Sequence, residues 1–283
     1  MPTPAPLQIA KATPADLDLM NNWAAAEGWN PGLTDGPAFR AADPEGILIG
    51  RLNGEAIAAI SAVAYGPAFG FVGFHICRPE FRGQGHGIAL WNAATNRLGD
   101  RVIGLDGVID QIINYRKSGF VFAYRNVRYA GFARPTIEID PHIVPITSAM
   151  MSAVIAYDRP LFPAPRSAFV HAWIQGERRT ALAYIVDGTV RGYGVVRICR
   201  NGFRIAPLFA DTTAIADALF TALAGTVAGS PICLDLPEPN LAAVRLAERH
   251  GLTPVFETAR MYRGSAPTLP IARTFGITSF ELG

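Results

Sequence analysis

The chain has 283 residues, and 50% of them are apolar, so a sizeable core is available and global disorder is excluded. Lysine and arginine total 25 against 23 aspartate and glutamate, with no basic run and no acidic tail, which argues against a nucleic-acid partner. The length suits two domains of ordinary size.

Cysteine usage and hydropathy bear on the compartment. Cys77, Cys199 and Cys233 are scattered, with neither metal-ligand spacing nor a disulfide framework, which favours a reducing environment. The N-terminus lacks the pattern of a signal peptide. Tyr65-Gly66-Pro67 interrupts the most apolar window, residues 57–74, which therefore predicts two strands and a turn rather than a membrane span. We expect a cytoplasmic protein with no metal and no membrane partner; the pattern leaves the oligomer state open.

The first half alternates strands and helices in chain order. A strand is predicted at 7–11, and Thr13-Pro14 begins a helix because threonine can cap and proline fits the first turn. Asn53-Gly54 indicates a tight hairpin. Further strands are predicted at 47–52, 55–64, 70–77, 103–105 and 120–124, and further helices at 88–98 and 109–117.

The sharpest motif is the loop Arg82-Gly83-Gln84-Gly85-His86-Gly87, between a predicted strand and a predicted helix. Glycine at every second position permits left-handed backbone and close approach to a ligand. The helix that follows directs its unpaired N–H groups and positive dipole end into the loop. Together they predict a cradle for a pyrophosphate, to which Arg82 can add a charge-assisted contact.

Other glycine-rich readings fit this loop less well. A Walker loop needs Gly-Lys-Ser/Thr, which is missing. A dinucleotide fingerprint needs GxGxxG near the first strand of a βαβ unit, whereas this loop follows an antiparallel run. A turn without function stays open on the loop alone.

Preceded by Pro79-Glu80-Phe81, the loop resembles the acetyl-CoA loop of the GNAT superfamily of N-acetyltransferases. Tyr115, four residues before Gly119-Phe120, resembles that family's second signature. Residues 26–32 and 275–283 resemble a bacterial subgroup with a GNAT-like C-terminal domain. The resemblance implies an α/β (α+β) fold: tandem GNAT folds, each a mixed, mostly antiparallel sheet flanked by helices.

The resemblance also implies roles for individual residues. The strand before the loop would grip the pantetheine and polarise the acetyl carbonyl, the loop would take the pyrophosphate, and Tyr115 would protonate the departing thiolate. The family's usual asparagine, seven residues before this tyrosine, falls at Val108. The implied acetyl-CoA contacts are His75, Ile76, Cys77, Arg82, Gly83, Gln84, Gly85, His86 and Gly87.

The acceptor side is less specified. Glu27, Trp29 and Asn30 precede the second strand, where family members build the acceptor site, so we expect them to bind substrate. An alkylammonium must lose a proton before it attacks, and the base stays open. The candidates are His75, Glu27, Asp106 and Glu80.

The second half repeats the first without its chemistry. Ile232-Cys233-Leu234-Asp235 parallels Ile103-Gly104-Leu105-Asp106, and Asn240 begins the family's Asn-x-x-Ala-x-x-Leu pattern. The loop position holds Ala210-Asp211-Thr212-Thr213, and the tyrosine position is Ala247. We predict a catalytic domain at 1–133 and a degenerate GNAT-like domain at 134–283 that shapes the acceptor site.

The resulting expectation is an N-acetyltransferase. It would move an acetyl group from acetyl-CoA to a primary amine on a small molecule or peptide, by direct attack in a ternary complex. The alternative is a non-catalytic acyl-CoA sensor that keeps the fold without turnover.

Overall fold

The computed structural model describes residues 6–136 and 138–283. Eight α-helices of these residues flank one sheet of thirteen strands. The strands are β1 (Gln8–Lys11), β2 (Ile47–Leu52), β3 (Glu55–Tyr65), β4 (Phe69–Cys77), β5 (Val102–Val108), β6 (Val121–Phe132), β7 (Ile143–Pro145), β8 (Arg179–Val186), β9 (Thr189–Ile198), β10 (Phe203–Ala210), β11 (Pro231–Pro237), β12 (Thr253–Arg263) and β13 (Thr274–Gly276). The helices are α1 (Pro14–Ala26), α2 (Gly36–Ala42), α3 (His86–Leu98), α4 (Ile112–Lys117), α5 (Met151–Asp158), α6 (Ser167–Ile174), α7 (Thr213–Gly225) and α8 (Leu241–Arg249).

The sheet is mixed and mostly antiparallel, which confirms the predicted fold class. Its strand order is β1-β2-β3-β4-β5-β12-β6-β11-β10-β9-β8-β7, and β13 pairs with β10 outside this path. The two parallel pairs, β4 with β5 and β10 with β11, occupy equivalent places in the two halves. The repeat that the sequence suggested is therefore visible in the topology.

The halves exchange their last long strands. β12, from the second half, lies between β5 and β6, while β6, from the first half, lies between β12 and β11. The predicted division after residue 133 falls just beyond β6. Neither half thus completes its sheet without a strand from the other.

A reciprocal pair of buried ion pairs accompanies this exchange. Arg128 on β6 donates from Nε and Nη2 to the two carboxylate oxygens of Asp235 on β11, at 2.6 and 2.9 Å. Arg260 on β12 does the same to Asp106 on β5, at 2.8 and 2.6 Å. In each half, a bidentate contact thus ties the exchanged strand to its new neighbour.

Local predictions match the structure with two adjustments. The apolar window 57–74 lies within the antiparallel hairpin of β3 and β4, as predicted, and no described helix is long and apolar enough to span a bilayer. Thr13 caps α1 in a capping box with Asp16. The strand predicted at 120–124 continues to Phe132, and the helix predicted at 109–117 begins as a 3₁₀ turn over Ile109–Gln111.

Candidate active site

A cleft of about 680 Å³ opens where β4 and β5 diverge. Their parallel pairing ends at Val72 and Leu105; beyond it β4 continues against β3, and β5 against β12. The edge of β4 from Gly73 to Cys77 therefore faces the cleft without a strand partner on that side. Free backbone N–H and C=O groups on such an edge can pair with an extended ligand.

A β-bulge distorts β4 in the middle of this edge. Ala59 pairs with Ile76 and Ser61 with Gly73, so one residue of β3 opposes Phe74 and His75. Phe74 takes a φ of +48°, a left-handed value that non-glycine residues rarely adopt. Bulges of this kind redirect backbone groups beside functional sites, and this one lines the cleft.

His75 holds the bulge to the loop. Its Nε2 lies 3.0 Å from the carbonyl oxygen of Gly87, which can only accept, so the Nε2 proton points there. The ring also packs against Trp91, with centroids 5.6 Å apart. Burial lowers the pKa of His75, so the ring stays neutral near pH 7.

The glycine-rich loop leads directly into α3. Gly83 and Gly85 have φ of +74° and +87°, and added Cβ atoms would meet no atom within 4 Å. Gly85 is the N-cap of this 13-residue helix without a side-chain cap, and the first turn carries no acidic residue. Unpaired N–H groups and the positive helix end therefore face open space, a combination that can bind a phosphate.

Ten of the predicted site residues line the cleft. They are Glu27, Trp29, His75, Ile76, Cys77, Arg82, Gly83, Gly85, Gly87 and Tyr115. Arg82 donates to the Cys77 carbonyl at 2.8 Å and forms an ion pair with Glu27.

Three predicted side chains lie elsewhere. Gln84 donates to the Glu80 carbonyl at 3.0 Å, and the ring of His86 packs edge-on toward Phe81. Asn30 is bonded through both ends of its amide to the backbone of Asn201, at 3.0 and 2.8 Å. Asn30 thus links the first half to the β9–β10 turn.

Tyr115 crosses the floor of the cleft from α4. A Cβ at Gly107 would lie 2.1 Å from Cε2 of this ring, so glycine at that position makes room for it. The ring also packs against Trp91, with centroids 5.6 Å apart. Burial raises the pKa of Tyr115 to about 12, which keeps the hydroxyl protonated and able to donate.

Three of the four candidate bases are paired with arginines. Both carboxylate oxygens of Asp106 accept from Arg260, and one also accepts from Asn126 at 2.8 Å. Glu80 binds Arg78 at the surface and does not line the cleft. Glu27 lines the cleft but pairs with Arg82.

The equivalent cleft of the second half is filled by its own chain. β13 pairs with β10 beyond the point where β10 and β11 part, and the Ile277 N–H donates to the Asp235 carbonyl at 2.8 Å. Asn240 donates to the Thr274 carbonyl at 2.9 Å, and Arg273 lies 2.7 Å from Asp211. Asp211, at the position of the glycine-rich loop, and Asn240 thus bind the C-terminal segment of the chain itself.

The sequence predicted that the second half shapes the acceptor site, but it identified none of the residues of that half that line the cleft. Phe256, Thr258, Phe280 and Glu281 all line the cleft beside Gly73. Residues 275–283 resemble the bacterial subgroup, but this resemblance does not predict that they line the cleft. Gly73 and Gly107 within strands were a second signal, because interior strand glycines often mark a close approach.

Family models of the "Acetyltransferase (GNAT) family" and the "Acetyltransferase (GNAT) domain" match residues 17–120 and 154–276. The chain is 33% identical over 280 residues to holothin acyltransferase of Pseudoalteromonas sp. (strain SANK 73390), covering 98% of this chain and 95% of that protein. The chain belongs to the GNAT family. It is an acyltransferase of that family with two GNAT domains.

Solved structures support this tandem GNAT architecture. A putative acetyltransferase from Pyrococcus horikoshii superposes with a TM-score of 0.82 at 22% identity, over 98% of this chain and 96% of that one. A tandem GNAT protein from the clavulanic acid biosynthesis pathway gives a TM-score of 0.60 at 14% identity, over 93% and 100%. At these identities the likeness concerns the fold.

Proposed function

We propose that this GNAT protein transfers an acetyl group from acetyl-CoA to a primary amine of a small molecule or peptide. One observation carries the proposal: an uncapped, glycine-rich helix N-terminus opens onto the same cleft as the unpaired edge of β4. A CoA thioester has a pyrophosphate at one end and an amide-bearing arm leading to the acyl group. These two features suit that pair of partners.

Charge supports this orientation of the CoA. Arg82 and Lys117 line the cleft, and the backbone from Gly83 to Gly87 would offer N–H groups to the pyrophosphate. The edge from Gly73 to Cys77 would pair with the pantetheine amides. That pairing directs the acyl carbonyl toward the bulge, where a backbone N–H can stabilise the oxyanion of the tetrahedral intermediate.

Tyr115 would serve as a hydrogen-bond donor to the leaving sulfur. With its pKa at about 12 against about 8.5 for a thiol, complete proton transfer would be uphill by roughly 5 kcal/mol. A donated hydrogen bond stabilises the departing thiolate without that cost. The thiolate then takes its proton from solvent.

The acceptor would enter beside Glu27 and Trp29, opposite Phe256 and Phe280. Aromatic walls suit an acceptor with an apolar body. Holothin, named by the relative, is therefore a first candidate acceptor.

The test is an assay with acetyl-CoA and a panel of primary amines that includes holothin. Thiol release and the mass of the amide product are both measured. We expect amide formation that needs both substrates and is lost in Gly85→Val. Binding of acetyl-CoA without transfer to any amine would favour the sensor alternative, and no binding would overturn the site.

A further inference from the structure

The wall contributed by the second half contains two buried polar atoms without partners. Oε2 of Glu281 and Oγ1 of Thr258 find no hydrogen-bond partner among the described residues, and both residues line the cleft. Glu281 is only 5% exposed. Because buried polar groups are nearly always bonded, such atoms at a cleft wall point to a ligand that completes them.

The segment that carries Glu281 is hydrogen-bonded to β3 and packs closely on β4. Ser61 Oγ donates to the Glu281 carbonyl at 3.1 Å, and the Tyr65 hydroxyl donates to the Leu282 carbonyl at 3.0 Å. A Cβ at Gly73 would lie 2.2 Å from that Glu281 carbonyl oxygen, so the backbones are in direct contact beside the bulge. The backbone at Glu281 is therefore fixed beside the bulge, in the wall of the same cleft.

The other carboxylates of the cleft are neutralised. Asp106 is bound by Arg260, and Glu27 by Arg82. Near Glu281, Arg204 and Arg128 pair with Asp235, and Arg197 pairs with Asp35. Glu281 itself forms no ion pair among the described residues. Of the three carboxylates that line the cleft, Glu27, Asp106 and Glu281, it alone keeps its charge available to a substrate.

The environment of Glu281 tunes its proton affinity in both directions. Burial is the largest effect and raises the pKa of this carboxyl group. Arg204, Arg197 and Arg128 oppose the rise, and Asp35 adds to it. A carboxyl group with a raised pKa is better matched to proton transfer near neutral pH than an exposed glutamate.

We propose that Glu281, supplied by the degenerate second half, is the general base that deprotonates the acceptor amine. The inference rests on the proposed acetyl transfer. One proton passes from the ammonium to the Glu281 carboxylate, and the freed nitrogen lone pair attacks the thioester carbon. The C–N bond forms, the nitrogen releases its second proton to solvent as the C–S bond breaks, the thiolate takes up a proton from solvent, and Glu281 returns its proton to solvent.

The test compares Glu281→Gln with wild type on the best amine of the panel. General-base loss predicts a fall in kcat/KM of about 10²–10⁴-fold, with acetyl-CoA affinity by calorimetry unchanged. The acidic limb of the kcat/KM–pH profile should also move to the pKa of the free amine, about 10, because only the unprotonated amine can then react. The control is Glu248→Gln, an exposed carboxylate on α8, which should behave as wild type.

A second variant separates proton transfer from structure. In Glu281→Ala, added formate should restore part of the turnover, because a small carboxylate can enter the vacated space; a merely structural role predicts no rescue. A folded Glu281→Gln with wild-type kcat/KM and pH profile would overturn the inference. Wild-type protein that acetylates no amine would instead overturn the proposed function, so the two failures are distinguishable.

Discussion

Tyr115 is the residue whose role is most constrained by its surroundings. Trp91 and the space at Gly107 fix its ring, and burial keeps its hydroxyl protonated. Tyr115→Phe should lower kcat about 10- to 100-fold while the Kd for acetyl-CoA changes little, because only the bond to the leaving sulfur is lost.

Single-turnover kinetics and calorimetry measure these two quantities. Tyr129→Phe is the control, since Tyr129 is buried on β6 but does not line the cleft. An unchanged single-turnover rate in Tyr115→Phe would return Tyr115 to a packing role.

Glu281 also makes a prediction about stability. Its folded-state pKa is raised, so the native state holds a proton that the unfolded chain has released, and stability falls as pH rises above the ordinary value of 4.5. Glu281→Gln removes this penalty. Its Tm should exceed that of wild type at pH 8, and the difference should shrink toward pH 4. A lower Tm than wild type at pH 8 would show that the carboxylate stabilises the fold.

At the level of elements, the contact between β4 and the C-terminal segment tests how the cleft wall is held. Gly73→Ala would place a methyl group 2.2 Å from the Glu281 carbonyl oxygen and must displace the segment. We expect a loss of about 1–3 kcal/mol in unfolding free energy and a fall in turnover.

Chemical denaturation and the acetylation assay check this prediction. Gly36→Ala is the control, because its added methyl group would lie 3.3 Å from Cδ1 of Leu17, a flexible side chain that can move aside. Equal stability and turnover in Gly73→Ala and wild type would mean that the segment moves freely.

The exchanged strands depend on their buried ion pairs. Arg260→Met leaves the Asp106 carboxylate without its ion-pair partner. Because the Asp106 side chain has 0% exposure, we expect about 3–5 kcal/mol of destabilisation. Arg125→Met is the matched change on β6, where the partners Glu238 and Glu257 are exposed; it should cost about 1 kcal/mol or less. Comparable losses in urea unfolding would contradict the special role of the buried pair.

For the whole molecule, the sequence predicted which residues of the first half line the cleft, but for the second half it predicted only a role in shaping the acceptor site. Gly83, Gly85 and Tyr115 are local signals, because turn chemistry and helix position determine what they do. Family resemblance added their roles, which stay proposals. Periodicity likewise predicted most strands and the repeat.

The strand exchange and the position of Glu281 depend on contacts between distant segments. Ser61 and Glu281 are 220 residues apart, and Asp106 and Arg260 are 154 apart. No local pattern specifies which strand will lie beside β5, since β6 and β12 are both long and share the same sequence of exposed and then buried residues. The same limit applies to Asn30. The sequence predicts that it binds substrate, whereas its amide bonds to Asn201, a partner that no local pattern specifies.

The two clefts give the molecule its asymmetry. One is open and glycine-lined, while the other contains β13, which Asn240 and Asp211 help to hold. The same C-terminal segment then continues into the first cleft and supplies Glu281. We therefore expect one acyl-CoA site per chain, built by both halves.

Calorimetric titration of the full chain with acetyl-CoA tests this claim most directly. We predict one site per chain, lost in Gly85→Val and retained in Gly54→Val, whose glycine has nearly the same φ and open surroundings in the β2–β3 turn. Two equivalent sites per chain, or wild-type affinity in a folded Gly85→Val, would contradict it.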